Sequence, residues 1–161
     1  MRVGFTRERV ALDAVEDPIV RNGIAYWHSL CRGRAFPARA DVTPVAMKKL
    51  LSHTIITRVV DGGADYEYRI VGQVHVDIHP IPLQGGRLMK LEGLGAPYRT
   101  LLKSLYDEVV QTRAPSGNRA AMKATDGGLA GLRSVSAFLP LGDTDAAVDH
   151  VLVFATYTPP A

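Results

Sequence analysis

The sequence predicts an α+β domain in which helices cover one face of an antiparallel sheet. Two runs rich in β-branched and aromatic residues flank the turn "DGGAD" at residues 61–65 and predict a hairpin. Apolar residues then recur at helical spacing from Tyr98, and three strand-like segments follow Pro115. A helix between a hairpin and a meander is typical of a sheet with helices packed on it.

The N-terminal part predicts a helical segment outside the sheet. Residues 1–17 are polar and weakly patterned, so we expect a short helix or a loose arm there. Asp17 suits the cap position of a helix, Pro18 its first residue and Gly33 its end. A second, short helix is expected over residues 45–51, after Pro44. The chain accordingly divides into an arm at 1–17, a helical cap at 18–50 and a sheet domain at 51–161.

The sheet domain is predicted element by element. In the second strand of the hairpin, Tyr66, Tyr68 and Ile70 are expected to share one face. Prolines and glycines within 73–97 leave room only for short helical turns. The apolar stripe over 98–111 predicts the main helix. The meander is assigned to "RAAMKAT", "LRSVSAFLPL" and "HVLVFATYT", separated by the turns "DGGLAG" and "GDTDAAVD".

Composition and charge narrow the class of protein. The 161 residues are 47% hydrophobic and 22% charged, which is typical of one globular domain with a core. A single cysteine, Cys31, and no signal-like or membrane-length apolar run lead us to expect a soluble cytoplasmic protein. Residues 1–60 carry 10 Lys/Arg against 5 Asp/Glu, which favours an acidic partner but is too dispersed for nucleic acid.

The stretch "AYWHSLCRGRAFPARADVTP" at residues 25–44 combines an aromatic pair with spaced arginines. Three interpretations are open: the stretch seats the helix on the rest of the domain, contacts a protein partner, or binds a phosphate. The phosphate interpretation lacks a glycine-rich fingerprint. We expect the cap or partner interface, formed by Tyr26, Trp27, Arg32, Arg34, Arg39 and Asp41.

The segment "HVDIH" offers candidate metal ligands. On a strand, His75, Asp77 and His79 would point the same way, as three metal ligands do. On a helix, the two histidines align and Asp77 turns away. We expect a solvated polar face and no metal. A small metal- or acid-base-dependent enzyme using these three residues is the alternative function. Because no nucleophile motif of the Gly-x-Ser-x-Gly type occurs, the protein is not expected to be an enzyme.

The space between the main helix and the sheet is the candidate ligand pocket. The patterns place five side chains there: Tyr68, Ile70, Leu102, Tyr106 and Phe138. Two interpretations are open, a filled core and a site for a small apolar or aromatic ligand with tyrosine hydroxyls as its polar contacts.

The element order and particular residues together resemble a known family. The matching residues are Tyr26-Trp27, Leu30, Arg32-Gly33-Arg34, Pro37, Arg39, Asp41, Pro44, "YRIVG" at 68–72, Gly86-Arg87, Tyr98, Leu102, Tyr106, Thr112, Pro115 and "LPL" at 139–141. Over residues 20–155 the chain resembles PAS_5, small PAS-like proteins of proteobacteria. It departs from the family at "QVHVDIHPIPLQG", between Gly72 and Gly86.

The resemblance implies a five-stranded antiparallel sheet of order 2-1-5-4-3, with helices on one face and an N-terminal helical extension. It also implies a single-domain sensory or adaptor protein acting through protein contacts, tuned by a small ligand in the core. With no room for an output domain, a protein partner in a signalling pathway is expected, with a homodimer as an alternative. Neither nucleic acid nor membrane is expected to be bound.

The resemblance also raises the question of a cofactor. Haem in PAS domains is held by a histidine on the long helix, and residues 98–111 contain none. A flavin photoadduct needs a cysteine after the second strand, whereas Cys31 precedes the sheet. No cofactor is therefore expected.

Overall fold

The computed structural model describes residues 5–122, 129 and 131–159, and their strands form one antiparallel sheet. Across the sheet the strand order is β1-β4-β5-β6-β2-β3. The strands are β1 Phe5–Val10, β2 Thr54–Val60, β3 Asp65–Val71, β4 Ser116–Met122, β5 Arg133–Leu141 and β6 His150–Thr158. Without β1, the other five strands follow the order implied by the resemblance.

Helices fill the connections between the strands. The α-helices are α1 Pro18–Cys31, α2 Pro44–Met47, α3 Gln73–Ile78 and α4 Ala96–Thr112. Short 3-10 turns lie at Leu12–Ala14, Arg39–Asp41, Lys48–His53, Asp61–Gly63, Leu88–Lys90 and Glu92–Leu94. Within the part of the chain that the structure describes, no helix has the length and apolarity that crossing a bilayer requires.

The sixth strand, β1, corrects two expectations, the five-stranded sheet and the helical or loose arm. Phe5 pairs with Met122 and Val10 with Gly117, so β1 lies on the free edge of β4. The strand is mostly exposed, and it therefore lacks the buried alternating face by which a strand is predicted. Side-chain bonds hold it: Arg7 donates to Asn118 at 2.7 and 2.9 Å and to Glu108 at 2.7 Å.

The two long helices lie on opposite faces of the sheet. On one face, the ring of Tyr106 in α4 packs edge-on against Phe138 of β5, with centroids 5.0 Å apart. On the other face, Gly23 of α1 lies so close to the ring of Phe154 that a Cβ would overlap it. Phe154 and Val153, which lines the α4 side, are consecutive in β6 and point to opposite faces. The predicted N-terminal helical extension, α1, therefore covers the face of the sheet opposite α4.

Helix α1 begins where the capping pattern predicted. The carboxylate of Asp17 accepts a hydrogen bond from the backbone N–H of Val20 at 3.0 Å and another from the Thr156 hydroxyl at 2.9 Å. One side chain thus caps the helix and attaches it to β6. The helix ends at Cys31, with Arg32 rather than Gly33 as the left-handed C-cap residue (φ 49°).

The remaining boundaries shift by small amounts. The helix expected over 45–51 is interrupted at Lys48, whose φ of 46° is incompatible with an α-helix, so α2 passes into a 3-10 turn. Strand β4 begins at Ser116, ahead of the predicted "RAAMKAT". Residues 123–125 of that prediction, and most of the turn "DGGLAG", lie outside the described residues.

Candidate functional site

A cavity of about 50 Å³ lies between α4 and the sheet. Four tyrosines, a histidine and two serines interrupt an otherwise apolar lining. The lining includes Ile55, Tyr68, His79, Tyr98, Leu101, Leu102, Leu105, Tyr106, Ala120, Met122, Leu132, Ser134, Ser136, Phe138, Val153, Ala155 and Tyr157. Polar side chains therefore face the core directly beneath α4.

Of the five residues predicted for the pocket, Tyr68, Leu102, Tyr106 and Phe138 line this cavity, whereas Ile70 does not. A β-bulge explains the difference. Tyr68 pairs with Thr57 of β2 but Ile70 pairs with Ile56, so one residue of β3 is extra at this point. Directly paired residues share a face, and the bulge therefore turns Ile70 to the side opposite Tyr68. Strict alternation along β3 predicted the wrong face for Ile70.

The segment "HVDIH" lies in α3 and the residue after it, and both of its histidines are buried. His75 Nδ1 lies 2.8 Å from the Tyr157 hydroxyl and its Nε2 lies 2.8 Å from the carbonyl oxygen of His53. His79 Nδ1 lies 2.7 Å from the carbonyl oxygen of His75, and its Nε2 lies 2.9 Å from the Tyr98 hydroxyl. The expectation of a solvated polar face is wrong for both histidines.

A glycine allows α3 to reach this position. A Cβ on Gly72, the residue before α3, would overlap the carbonyl oxygens of Leu51 and Ser52. Without a side chain, the start of α3 comes close to the 3-10 turn that contains His53. His75 and His79 are four residues apart and so lie on one side of the helix, facing the sheet and α4.

The third candidate ligand, Asp77, does not join the histidines. Its carboxylate accepts a hydrogen bond from Gln73 at 2.7 Å on the exposed side of α3. Among the described residues, no three His, Cys, Asp or Glu side chains converge as a metal site would require. All four ring nitrogens of the two histidines face protein oxygen atoms.

Burial keeps the polar groups of the cavity uncharged. It lowers the pKa of His75 to about 4 and also lowers the pKa of His79. The same loss of solvation raises the pKa values of the four lining tyrosines, Tyr68, Tyr98, Tyr106 and Tyr157. At neutral pH the cavity therefore presents hydroxyls and neutral imidazole, without a formal charge.

A further tyrosine supports α4 beside the cavity. The ring of Tyr66 stacks on Tyr106 with centroids 4.8 Å apart, and its hydroxyl donates to Asp107 of α4 at 2.6 Å. Lys103 pairs with the other oxygen of the same carboxylate at 2.7 Å. Strand β3 and α4 are thus joined at the rim, which holds the helix over the cavity.

The stretch at 25–44 contacts the sheet domain through two side chains. Trp27 is only 2% exposed, and its indole N–H donates to the carbonyl of Pro140 at 2.9 Å. Arg34 donates to the carbonyl of Gly142 at 2.8 Å and lies 3.4 Å from the carboxylate of Asp145. Both contacts attach the end of α1 to the C-terminal end of β5.

The other residues of the predicted interface act within the stretch itself. Asp41 accepts from the backbone N–H of Ala38 at 2.9 Å, and Arg39 donates to the carbonyl of Val42 at 3.1 Å. The Tyr26 hydroxyl accepts from the backbone N–H of Thr43 at 3.4 Å. Arg32 is exposed. The arginines therefore do not converge on one point, as a phosphate site would need.

Comparison with known proteins places the fold in a family. The family model PAS_5, described as a PAS domain, matches residues 15–153, and the chain therefore belongs to this family. Neither a curated protein nor a solved structure is significantly similar to the chain. The matched residues include α1 as well as the sheet. PAS domains are sensory and signalling modules that commonly mediate protein–protein contacts and are generally not enzymes.

Several polar residues of the site were not predicted: Tyr98 and Tyr157 as pocket residues, and His75 and His79 as buried groups. The four-residue spacing of the histidines was visible in the sequence, but their partners come from β6, from α4 and from the turn before β2. The cavity is much smaller than the roughly 300 Å³ at which ordinary ligand pockets begin. Neither haem nor a flavin fits it in this structure.

Proposed function

We propose that this protein is a sensory or adaptor module that acts through a protein partner and is tuned by a small ligand in the cavity under α4. The observation that carries the proposal is the set of four tyrosines around that cavity, two of which are hydrogen-bonded to the buried histidines of α3. Buried polar groups cost stability unless they are paired. A purely structural core would be expected to use apolar residues there.

The two histidines connect the cavity, through their hydrogen bonds, to a segment that is partly exposed at the surface. A ligand that competes for the Tyr98 or Tyr157 hydroxyl would change the hydrogen bonds that hold His79 and His75. Both histidines belong to the same short segment, whose outer side carries Val76 at 46% exposure. Occupancy of the cavity would therefore change the stability of α3 and, with it, a surface that a partner can contact.

The N-terminal stretch is proposed to be a cap rather than the partner surface. Trp27 and Arg34 contact the sheet domain, and Asp41 and Arg39 close the stretch upon itself. We retain the division into an arm at 1–17, a cap at 18–50 and a sensory domain at 51–161, with β1 attaching the arm to the sheet. The exposed positive charge of the first 60 residues would attract an acidic partner.

The protein is proposed not to be an enzyme. The alternative function requires His75, Asp77 and His79 to act together. Asp77 instead binds Gln73 on the exposed side of α3. The imidazole nitrogens are occupied by protein oxygen atoms, so no nitrogen remains to bind a metal or to take a proton from a substrate.

A cavity-filling variant tests the proposal. Ala120 lines the cavity, so Ala120→Leu should occupy it, whereas Ala146→Leu makes the same change at an exposed turn. Partners are captured by cross-linking in the source cells, and circular dichroism verifies folding. We expect a protein captured by the wild type and by Ala146→Leu but not by Ala120→Leu. Identical capture by all three chains would refute ligand tuning, and absence of any specific partner would refute the adaptor function.

A further inference from the structure

The two histidines determine the hydrogen-bonding direction at two of the four tyrosines that line the cavity, Tyr98 and Tyr157. A carbonyl oxygen can only accept a hydrogen bond, so the ring nitrogen that faces it must carry the proton. His75 Nε2 faces the carbonyl of His53 at 2.8 Å and is therefore the protonated nitrogen. In a neutral imidazole the other nitrogen is an acceptor. The Tyr157 hydroxyl, 2.8 Å from His75 Nδ1, must consequently be the donor.

The same reasoning applies to His79 with the nitrogens exchanged. Its Nδ1 faces the carbonyl of His75 at 2.7 Å and carries the proton, so Nε2 accepts from the Tyr98 hydroxyl at 2.9 Å. Desolvation lowers the pKa of both imidazoles, which keeps them neutral and preserves these tautomers.

The tautomers determine what the two tyrosines can offer to a ligand. A hydroxyl has one proton and two lone pairs. Because Tyr98 and Tyr157 give their protons to the histidines, their oxygen atoms can only accept from anything in the cavity. Both side chains line the cavity. On β5, which is the neighbour of β6, Ser134 pairs directly with Tyr157, and the serine hydroxyls that line the cavity, including that of Ser136, can donate or accept.

Charge and size narrow the class of ligand further. No carboxylate, lysine or arginine is among the described residues that line the cavity. An ammonium group would find no counter-charge there, and a carboxylate would face the tyrosine lone pairs. The cavity of about 50 Å³ is about one third of the roughly 150 Å³ that accommodates benzene in an engineered apolar cavity. Only a molecule of a few heavy atoms fits.

We infer that the cavity selects a small neutral hydrogen-bond donor with an apolar body, of the class of short-chain alcohols, over an acceptor of the same size. The donor group binds the oxygen atoms of Tyr98 and Tyr157, and the alkyl group contacts side chains such as Leu101 and Val153. This inference rests on the proposed function, because it names the ligand class of the same cavity.

Ethanol and acetonitrile are suitable probes, since both have three heavy atoms but only ethanol can donate. Ligands of this size bind no more tightly than about millimolar, so binding is followed by NMR titration with intermolecular NOEs to the methyl groups of Leu101 and Val153. We expect ethanol to bind about 10-fold more tightly, as for one hydrogen bond. Nitrogen-15 spectra should show a proton on Nε2 of His75 and on Nδ1 of His79.

Two variants test the source of this selectivity. Ser136→Ala removes a donor that β5 contributes to the lining, so it should weaken acetonitrile more than ethanol and widen the difference between them. His79→Gln can present either an amide N–H or a carbonyl to Tyr98, and it should reduce the preference for ethanol. Tyr26→Phe, which removes a tyrosine hydroxyl outside the lining, should leave both affinities unchanged.

The possible results separate the inference from the function on which it rests. If both probes bind equally, or if the histidines carry the opposite tautomers, donor selectivity is wrong and the ligand-tuned module is unaffected. If neither probe enters the cavity at concentrations up to about 0.2 M, far above the millimolar range expected of such ligands, both the inference and ligand tuning are overturned.

Discussion

Protonation of His75 should destabilise the fold in mildly acidic solution. The imidazole is fully buried and contacts the Tyr157 hydroxyl and the carbonyl of His53, and the ring centroid of His79 lies 6.5 Å from its own. Burial lowers its pKa from 6.5 to about 4. The unfolded chain therefore binds a proton at this position at a higher pH than the folded chain does, and stability falls as the pH falls below 6.5.

The size of this effect follows from the two pKa values. With 6.5 in the unfolded chain and about 4 in the folded chain, linkage predicts a loss of about 2 kcal/mol between pH 7 and pH 5. The pKa of His79 is also lowered by burial, and its contribution has the same sign. The interval stays above the usual range of exposed carboxylates, so it isolates the histidines.

Urea unfolding at pH 7 and pH 5 measures the loss. Trp27 is the only tryptophan of the chain and is 2% exposed, so its fluorescence reports unfolding. The test variant His75→Gln can still donate to the carbonyl of His53 but cannot titrate. It should be less stable than the wild type at pH 7, by about 1–3 kcal/mol for the altered buried contacts, and should lose about 2 kcal/mol less between the two pH values.

Val76→Gln is the matched control, because it changes an exposed residue of the same helix and leaves both histidines in place. It should show the same pH dependence as the wild type. The reasoning is refuted if the difference in stability between the wild type and His75→Gln is the same at pH 7 and pH 5. A neutral, buried imidazole cannot give that result.

Three further substitutions, the last with a matched control, test the packing of the domain. Trp27→Ala should lower the free energy of unfolding by roughly 3–5 kcal/mol, followed by circular dichroism; loss of a dimer by light scattering with unchanged stability would instead make this residue a dimer contact. Gly72→Ala should cost roughly 1–3 kcal/mol because its Cβ overlaps two carbonyl oxygens, and wild-type urea stability would contradict the close approach of α3. Arg7→Ala should cost roughly 1–3 kcal/mol, since buried Asn118 loses its donor. Arg119→Ala, 3.6 Å from Glu8 at the surface, should cost under about 1 kcal/mol, and equal melting temperatures for the two arginine variants would argue against the role of Arg7.

Elements whose signal lies within a few residues of the sequence were predicted well. The stripe over 98–111 became α4, the "DGGAD" turn joined β2 to β3, and Asp17 capped α1. In each case the information is local, since the turn chemistry, the cap and the helical repeat lie within a few residues of one another. The strand order followed from the resemblance, and the family match supports it.

Elements whose position depends on a distant partner were missed or misassigned. Strand β1 has no buried alternating face and is held by Asn118 and Glu108. Ile70 changed face because of a bulge that the alternation of β3 does not reveal. His75 and His79 were expected in solvent, because nothing in "HVDIH" indicates that Tyr157 and Tyr98 lie opposite them.

By itself, the sequence determined the two long helices, the hairpin, the meander and the general composition of the core. Only the tertiary structure decided which face α1 covers, which side of β3 Ile70 occupies and which tautomers the two histidines adopt. The physical reason is that periodicity and capping act over one or two turns of chain, whereas a hydrogen-bond direction inside the core depends on atoms from several elements. The candidate ligand class follows from those directions.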